Sequence, residues 1–260
     1  VPVADLPLST LTDDEAAVIA QIRPRIRRTD RDLKVLESYR DAEQRLRHIG
    51  IALPPELRMF ETVINVPGMA VREPVGRQDL KAFERTSATT ATTDTTLQEA
   101  WEANNLASQS ILTHMDARTY GHTFVSVSEN EDDPDNPLIL NESPVGMGVL
   151  IDSRKRHITD GLKIFRDGTT TLATLMRPYA TLDLELSGGG WSVRDRSDHK
   201  LGVVPLIMFV NQPWVRADEA RRRYYPGRSE MVDVIGKIDA IARMITNMQV
   251  AGETLALPHR

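Results

Sequence analysis

Cysteine is absent from the chain. Without it there is no disulfide framework and no thiolate metal site. Also missing is any apolar run long enough to span a bilayer, so no membrane partner is expected. The opening VPVADLPLSTLTDDE has neither the basic n-region nor the apolar h-region of a secretory signal. A basic excess is missing as well. The formal net charge is −5 with 27% charged residues, whereas free-standing nucleic-acid binders are usually basic.

What is present sets further bounds. The 260 residues suffice for one large domain or two small ones. A compact fold of this size would bury about three-quarters of its unfolded surface. An elongated one would bury less and lean on partners. Residues 1–11 read as extended. Thr12-Asp13-Asp14-Glu15 is a capping box that opens a short helix through about Ile22, with Pro24 expected to end it. A second helix is expected from about Asp30 to Ile49, with Gly50 as its C′ residue. Its stripe is Val35/Leu36, Tyr39, Ala42, Leu46 and Ile49, and its charged face reads as solvated. Pro54-Pro55-Glu56 opens another short helix to about Thr62. From Asn65 to Arg85, Pro67, Gly68, Pro74 and Gly76 break every period. The Thr-rich, nearly uncharged stretch 86–96 cannot build a core and reads as a linker or an exposed strand-like segment.

Thr96-Leu97-Gln98-Glu99 is a second capping box. Its helix carries Trp101, Asn105, Ser108, Ile111/Leu112 and Met115, and is closed by Gly121. From His122 the period becomes two. Strands are expected at 122–128, 138–141, 145–151, 162–166, 172–177, 181–186, 191–194 and 203–211. Turn chemistry separates them at 132–137, Asp167-Gly168 and Ser187-Gly188-Gly189-Gly190. Eight short strands at hairpin spacing predict an antiparallel sheet and an α+β fold.

The last stretch, Ser229 to Ala256, is the most regular. Met231, Val234, Ile235, Ile238, Ile241, Ala242, Ile245 and Met248 recur at helical spacing. Ser229 is a candidate N-cap, Glu230 lies in the first turn, and Pro258 stops the pattern. At about 1.5 Å per residue the rod would run roughly 40 Å, so it needs cover from outside its own turns. Copies of the same chain are the expected cover.

Several clusters could carry chemistry. Asp132, Asp133, Asp135 and Asn136 have calcium-type oxygens but not EF-hand spacing, and read as a hairpin turn. Ser197, Asp198 and His199 are adjacent and splay apart, so they do not converge as a triad. Asp183 and Glu185 share one strand, where a glycosidase pair usually flanks a cleft. Gly188-Gly189-Gly190 precedes a strand, not the helix N-terminus a phosphate loop needs. His114 and His122 lack a third ligand at metal spacing. Arg221, Arg222, Arg223, Tyr224 and Tyr225 fit either nucleic acid or an acidic patch on a neighbouring subunit. No cofactor is expected.

Motif order carries the reading further. The pieces are Tyr39-Arg40 with Leu46-Arg47-His48-Ile49-Gly50, then Pro54-Pro55-Glu56-Leu57-Arg58 and Asn65. Trp101-Glu102-Ala103-Asn104-Asn105-Leu106 follows, then His114-Met115-Asp116-Ala117 with Tyr120-Gly121-His122-Thr123-Phe124-Val125-Ser126-Val127. Next come Glu142-Ser143-Pro144, Ile151-Asp152, Gly202-Val203-Val204-Pro205-Leu206 and Phe209-Val210-Asn211. The last are Gly227-Arg228-Ser229-Glu230, Asp239, Asn247-Met248 and Leu257-Pro258-His259-Arg260. In this order they resemble the portal proteins of tailed phages, in the SPP1-type family found in phages of actinobacteria.

The resemblance implies a structural protein, not an enzyme. It implies a dodecameric ring at the unique capsid vertex of the virion, assembled in the host bacterial cytoplasm. Such a ring would be the channel for genome packaging and ejection. The implied partners are further copies of the chain, the major capsid protein, the terminase, a head-tail connector or adaptor, and double-stranded DNA passing without sequence specificity. Residues 1–85 would be the N-terminal helical part of the wing, 86–96 a linker, 97–228 a helix plus β-rich wing, and 229–260 a stem helix and the start of the clip. Members of the family continue into a clip, a returning stem helix, a tunnel loop and a crown. Met231, Val234, Ile235, Ile238, Ile241, Ile245, Met248 and Arg221, Arg222, Arg223 and Tyr224 would meet neighbouring subunits. Glu230, Asp233, Lys237 and Arg243 would face the lumen or the capsid edge. Twelve copies at −5 would sum to about −60, which suits sliding of DNA rather than holding it. Lysine at Glu230 and Asp233 is therefore expected to slow packaging. Two other classes stay open from the residues alone: a β-rich enzyme with a pocket around His114, Asp116 and His122, and a virion adaptor ring that never touches DNA.

Overall fold

The computed structural model of the chain describes residues 11–45, 62–87, 90–93, 95–152, 154–213 and 227–256. Two compact units are distinguished. One is built from 1–32, 80–113 and 123–209, the other from 33–79, 114–122 and 210–260.

In the first unit the core lies between a helix and a sheet. Helix α1, Asp13–Arg40, begins at the expected capping box. The Thr12 N–H donates to Glu15 Oε2 at 2.9 Å, and the Glu15 N–H donates back to Thr12 Oγ1 at 3.3 Å. The helix does not stop at Pro24, as expected, but runs through it. The reason is energetic. Val18, Ile19, Ile22 and Ile26 straddle the proline on one buried face. Four apolar side chains at about 1.5–3 kcal/mol each outweigh the roughly 3 kcal/mol that an interior proline costs. Gly148 lets that face come close, since a Cβ there would lie 2.7 Å from Ile26 and 2.8 Å from Ile22.

The facing surface is an antiparallel meander of β5 Met147–Ile151, β6 Ile158–Asp167, β7 Thr170–Met176, β8 Ala180–Ser187 and β9 Gly190–Asp198, in that order. Leu162, Ala173, Leu175, Ala180, Leu182, Leu184 and Val193 point at α1. The alternate residues Lys163, Thr174, Asp183 and Arg194 are polar, as a sheet with one solvated face requires. Carboxylates of the first turn of α1 are tied to the sheet. Arg196 reaches Glu15 at 2.9 Å, and Arg177 bridges Asp14 at 2.6 Å and Asp160 at 3.1 Å. Burial pushes the Glu15 carboxyl up, but bonds from Thr12 and Arg196 outweigh it and hold the group below its ordinary value.

The same unit holds a three-stranded sheet in the order β10 Leu206–Val210, β3 His122–Ser128, β4 Leu138–Glu142, and a small hairpin of β1 Glu84–Ser87 with β2 Thr90–Thr93. The expected strand positions recur, but the single sheet divides in two. Between β4 and β5 the chain turns at Pro144 and at Gly146, whose φ is 77°. The Thr-rich stretch supplies β2, the strand-like alternative. The helix expected from 96 onward is two helices, α3 Thr95–Ala103 and α4 Leu106–Tyr120. Asn105 breaks it at φ 47°. Asn104 exchanges two bonds with the β4 approach, at 2.8 Å to the Pro137 carbonyl and 2.8 Å from the Ile139 N–H.

In the second unit, α1 ends at Arg40, not near Ile49. Ala42 takes the left-handed conformation at φ 62°, and the Glu43 N–H closes a 2.8 Å bond to the Ser38 carbonyl, a Schellman ending without glycine. The expected Gly50 cap and the short helix from Pro54 lie largely outside the described residues. Residues 65–85, read as broken, contain helix α2, Val66–Val75. Its breakers are start signals: the Asn65 side chain accepts from the Gly68 N–H at 3.1 Å, and Pro67 sits in the first turn, where its missing donor costs nothing. The last helix is α5, Val232–Ala256. Tyr39, Val71 and Met231 form the buried centre, with Val35, Leu36, Met115 and Ile235 packed on it.

Candidate functional site

The helix α5 and its lead-in are the site, and the second unit fixes both. Three separate motif pieces meet at the lead-in. The Asn211 N–H donates to the Gly121 carbonyl at 2.9 Å, and the Arg228 N–H donates to the Asn211 carbonyl at 3.0 Å. Asn211 Nδ2 returns a 2.8 Å bond to the Arg228 carbonyl. Gly227 lies so close that a Cβ there would be 2.1 Å from the Gly121 oxygen. Gly121 itself has φ 90°. Ser229 then accepts from the Met231 N–H at 3.2 Å, and Arg228 pairs with Asp233.

Glu230, expected in a lumen, is engaged within this unit. Arg118 reaches it at 3.1 Å, Asn211 at 3.3 Å and Gln212 at 2.8 Å, and its N–H donates to the Arg118 carbonyl at 3.0 Å. Lysine there would oppose Arg118 and break the lead-in, so it would not report on a channel charge alone. Nine residues further, the Tyr39 hydroxyl donates to the Asp239 carboxylate, 2.8–2.9 Å from both oxygens. Tyr39→Phe is expected to lower unfolding stability by about 2 kcal/mol, the usual scale for a hydrogen bond to a charged group. Urea denaturation of the two proteins checks it.

The apolar stripe of α5 divides. Met231, Ile238 and Ala242 are buried and Ile235 packs on Tyr39 and Val71, so the chain itself covers that flank. This corrects the expectation that neighbouring copies cover all of it. At about 100° per residue, Val234, Ile241, Met244 and Met248 lie on the adjoining flank. There Ile241 is 45%, Met244 64% and Met248 71% exposed. Ile245 and Val234 are half-buried, Lys237 is exposed and Arg243 is half-buried. Met244, which the expected stripe does not include, completes the flank. Arg221, Arg222, Arg223 and Tyr224 lie outside the described residues.

The clusters that could have carried catalysis do not converge. Asp132, Asp133 and Asp135 stand in the β3–β4 loop, where Asn136 donates to Asp133 at 2.8 Å. Asp183 accepts from Thr174 and Glu185 faces Arg194. Asp198 pairs with Arg196. Gly188 and Gly189 form a hairpin turn at φ 59° and 86°. Asp116 faces Arg40 at 3.8 Å. Among the described residues no three His, Asp or Glu side chains are placed to hold a metal ion, and no helix is long and apolar enough to cross a membrane. Burial, and then Arg118, lower the pKa of His114.

His122 is more extreme, since burial lowers its pKa to about 4. The folded state therefore binds this proton less readily than the unfolded chain does. Its neutral form favours folding fully above the unfolded value of about 6.5, and that contribution falls away between there and pH 4. Stability is expected to drop by on the order of 3 kcal/mol over that window, and His122→Gln to flatten the slope. Denaturant titrations at stepped pH measure it.

The family model for "Phage portal protein, SPP1 Gp6-like" matches residues 56–258. The chain belongs to this phage portal family. It is similar to the portal protein of Mycobacterium phage L5, at 28% identity over 267 aligned positions covering 99% of this chain and 53% of that protein. It is likewise similar to the portal protein of Mycobacterium phage D29, at 27% identity over 241 positions covering 89% and 48%. The chain thus spans about half the length of these curated relatives.

Proposed function

We propose that this chain is part of one subunit of a portal ring, twelve copies around the capsid vertex of the virion, through which the genome is packaged and ejected. Copies assemble in the host bacterial cytoplasm. The ring is a platform for the terminase and for head-tail connector proteins, sits against the major capsid protein, and passes double-stranded DNA without reading its sequence. The role is structural rather than enzymatic. Residues 1–85 and 97–228 belong to the wing, 86–96 join them, and α5 is the stem.

One observation carries this reading within the family frame: α5 is anchored along one flank by its own chain and leaves Ile241, Met244 and Met248 uncovered on the next. A cyclic, heterologous contact would cover such a flank with a different surface of the next copy. Of the α5 charges, Asp233 pairs with Arg228 and Lys237 lies on the open flank, which leaves Arg243 and Glu253 for the lumen or the capsid edge. Their mixed sign, within an acidic whole, suits a channel that must release each phosphate it passes.

Electron microscopy of the full-length chain tests it. Closed rings with an axial hole are expected. Monomers, or a closed two-fold dimer, would contradict it.

A further inference from the structure

Two hairpin loops of the first unit carry opposite charge and, among the described residues, no ion-pair partner. The β5–β6 loop holds Arg154, Lys155, Arg156 and His157, all exposed. The β3–β4 loop holds Glu129, Glu131, Asp132, Asp133 and Asp135, of which only Asp133 is partly covered. None of these forms an ion pair with another described residue. The two loops belong to different sheets.

Both are shaped before any partner arrives. Asp152 Oδ1 accepts from the N–H groups of Arg154 and Lys155 at 2.8 Å each, and the Arg156 N–H closes a 2.7 Å bond to the Asp152 carbonyl. That turn spends the polar backbone inward and leaves three cationic side chains outward. In the other loop Asn130 accepts from the Asp132 N–H at 3.1 Å, and the Asn136 N–H donates to the Asp133 carbonyl at 3.1 Å. Preformed loops lose little freedom on docking.

We propose that the basic β5–β6 loop of one copy docks on the acidic β3–β4 loop of the next. This rests on the ring reading and specifies a contact within it. The occupant is a second copy because the complementary charge sits on the same unit. Two distinct, complementary patches on one subunit let each copy present one of them to the next, as the heterologous contacts of a ring do. Complementary charge also sets register and disfavours wrong pairings, since like charges oppose one another in any other arrangement.

Charge exchange in the full-length chain tests it. One variant carries Arg154→Glu, Lys155→Glu and Arg156→Glu, and so has two acidic loops. The other carries Glu131→Lys, Asp132→Lys and Asp133→Lys, and so has two basic loops. Each alone is expected to self-associate about tenfold more weakly than wild type in sedimentation velocity. An equimolar mixture is expected to recover assembly, with the two variants alternating. Circular dichroism melting checks the folds, and Lys155→Glu with Asp132→Lys replaces the triple variants if either melts early. Assembly of each variant alone at wild-type strength overturns the pairing, as does a mixture that stays dissociated. A basic-loop variant that assembles normally but no longer retains duplex DNA assigns that loop to phosphate instead, which also overturns it. If wild type itself never associates, the ring reading falls first. If wild type and both variants all assemble, the ring stands and only this contact is lost.

Discussion

Replacing Gly227 with alanine should destabilise the protein by about 3 kcal/mol or more, toward the upper end of what single substitutions do. The added Cβ would stand 2.1 Å from the Gly121 carbonyl oxygen. That atom is backbone and already accepts the Asn211 N–H, so it has nowhere to retreat without breaking the lead-in to α5. Gly121→Ala should cost a similar amount, because φ is 90° there and the Cβ would meet the Arg228 nitrogen at 2.9 Å. Gly236 and Gly252 lie within α5 with open space where a Cβ would go. Alanine at either should instead stabilise the helix by about 1 kcal/mol. Urea denaturation of the four variants reads these opposite signs in one series.

Aspartate at Ile241, Met244 and Met248 together should leave the fold nearly intact and weaken self-association by at least about 100-fold. These side chains are 45%, 64% and 71% exposed, so their loss opens no cavity in the subunit. Buried by a neighbour, they would contribute about 5 kcal/mol per contact, by the usual scale for apolar side chains leaving water. Ile238→Asp is the contrasting control. It places a charge on the covered flank, where Ile238 is 6% exposed, and should unfold the protein rather than dissociate it. Light scattering for mass and circular dichroism for the fold separate the two outcomes.

How far the sequence led differs between elements. The strands from His122 onward were legible because one sheet face is solvated, which writes period two into the chain, and because glycine and aspartate mark the turns. Their division into two sheets was not, since pairing depends on where Gly146 sends the chain. Pro24 misled because proline reports a local cost, while the buried isoleucines on both sides of it report a tertiary gain. Asn65-Val66-Pro67 misled in the same way, as breakers that serve as a helix start.

At the candidate site, periodicity gave the width of the α5 stripe but not which flank the chain keeps for itself. Tyr39 and Val71, far away in sequence, decide that. Glu230 looked like a free acid because Arg118 and Gln212 are likewise distant. Gly121, Asn211 and Gly227 were each visible as motif pieces, and only the fold shows that they touch.

The account rests on the open flank of α5 being closed by another copy. The chain contains no cysteine, so Met244→Cys provides a single reporter on that flank. Its maleimide labelling rate, compared between dissociated and assembled protein, is the most direct measurement. The account predicts rapid labelling of the monomer and strong protection in the ring. Equal rates in both states would contradict it.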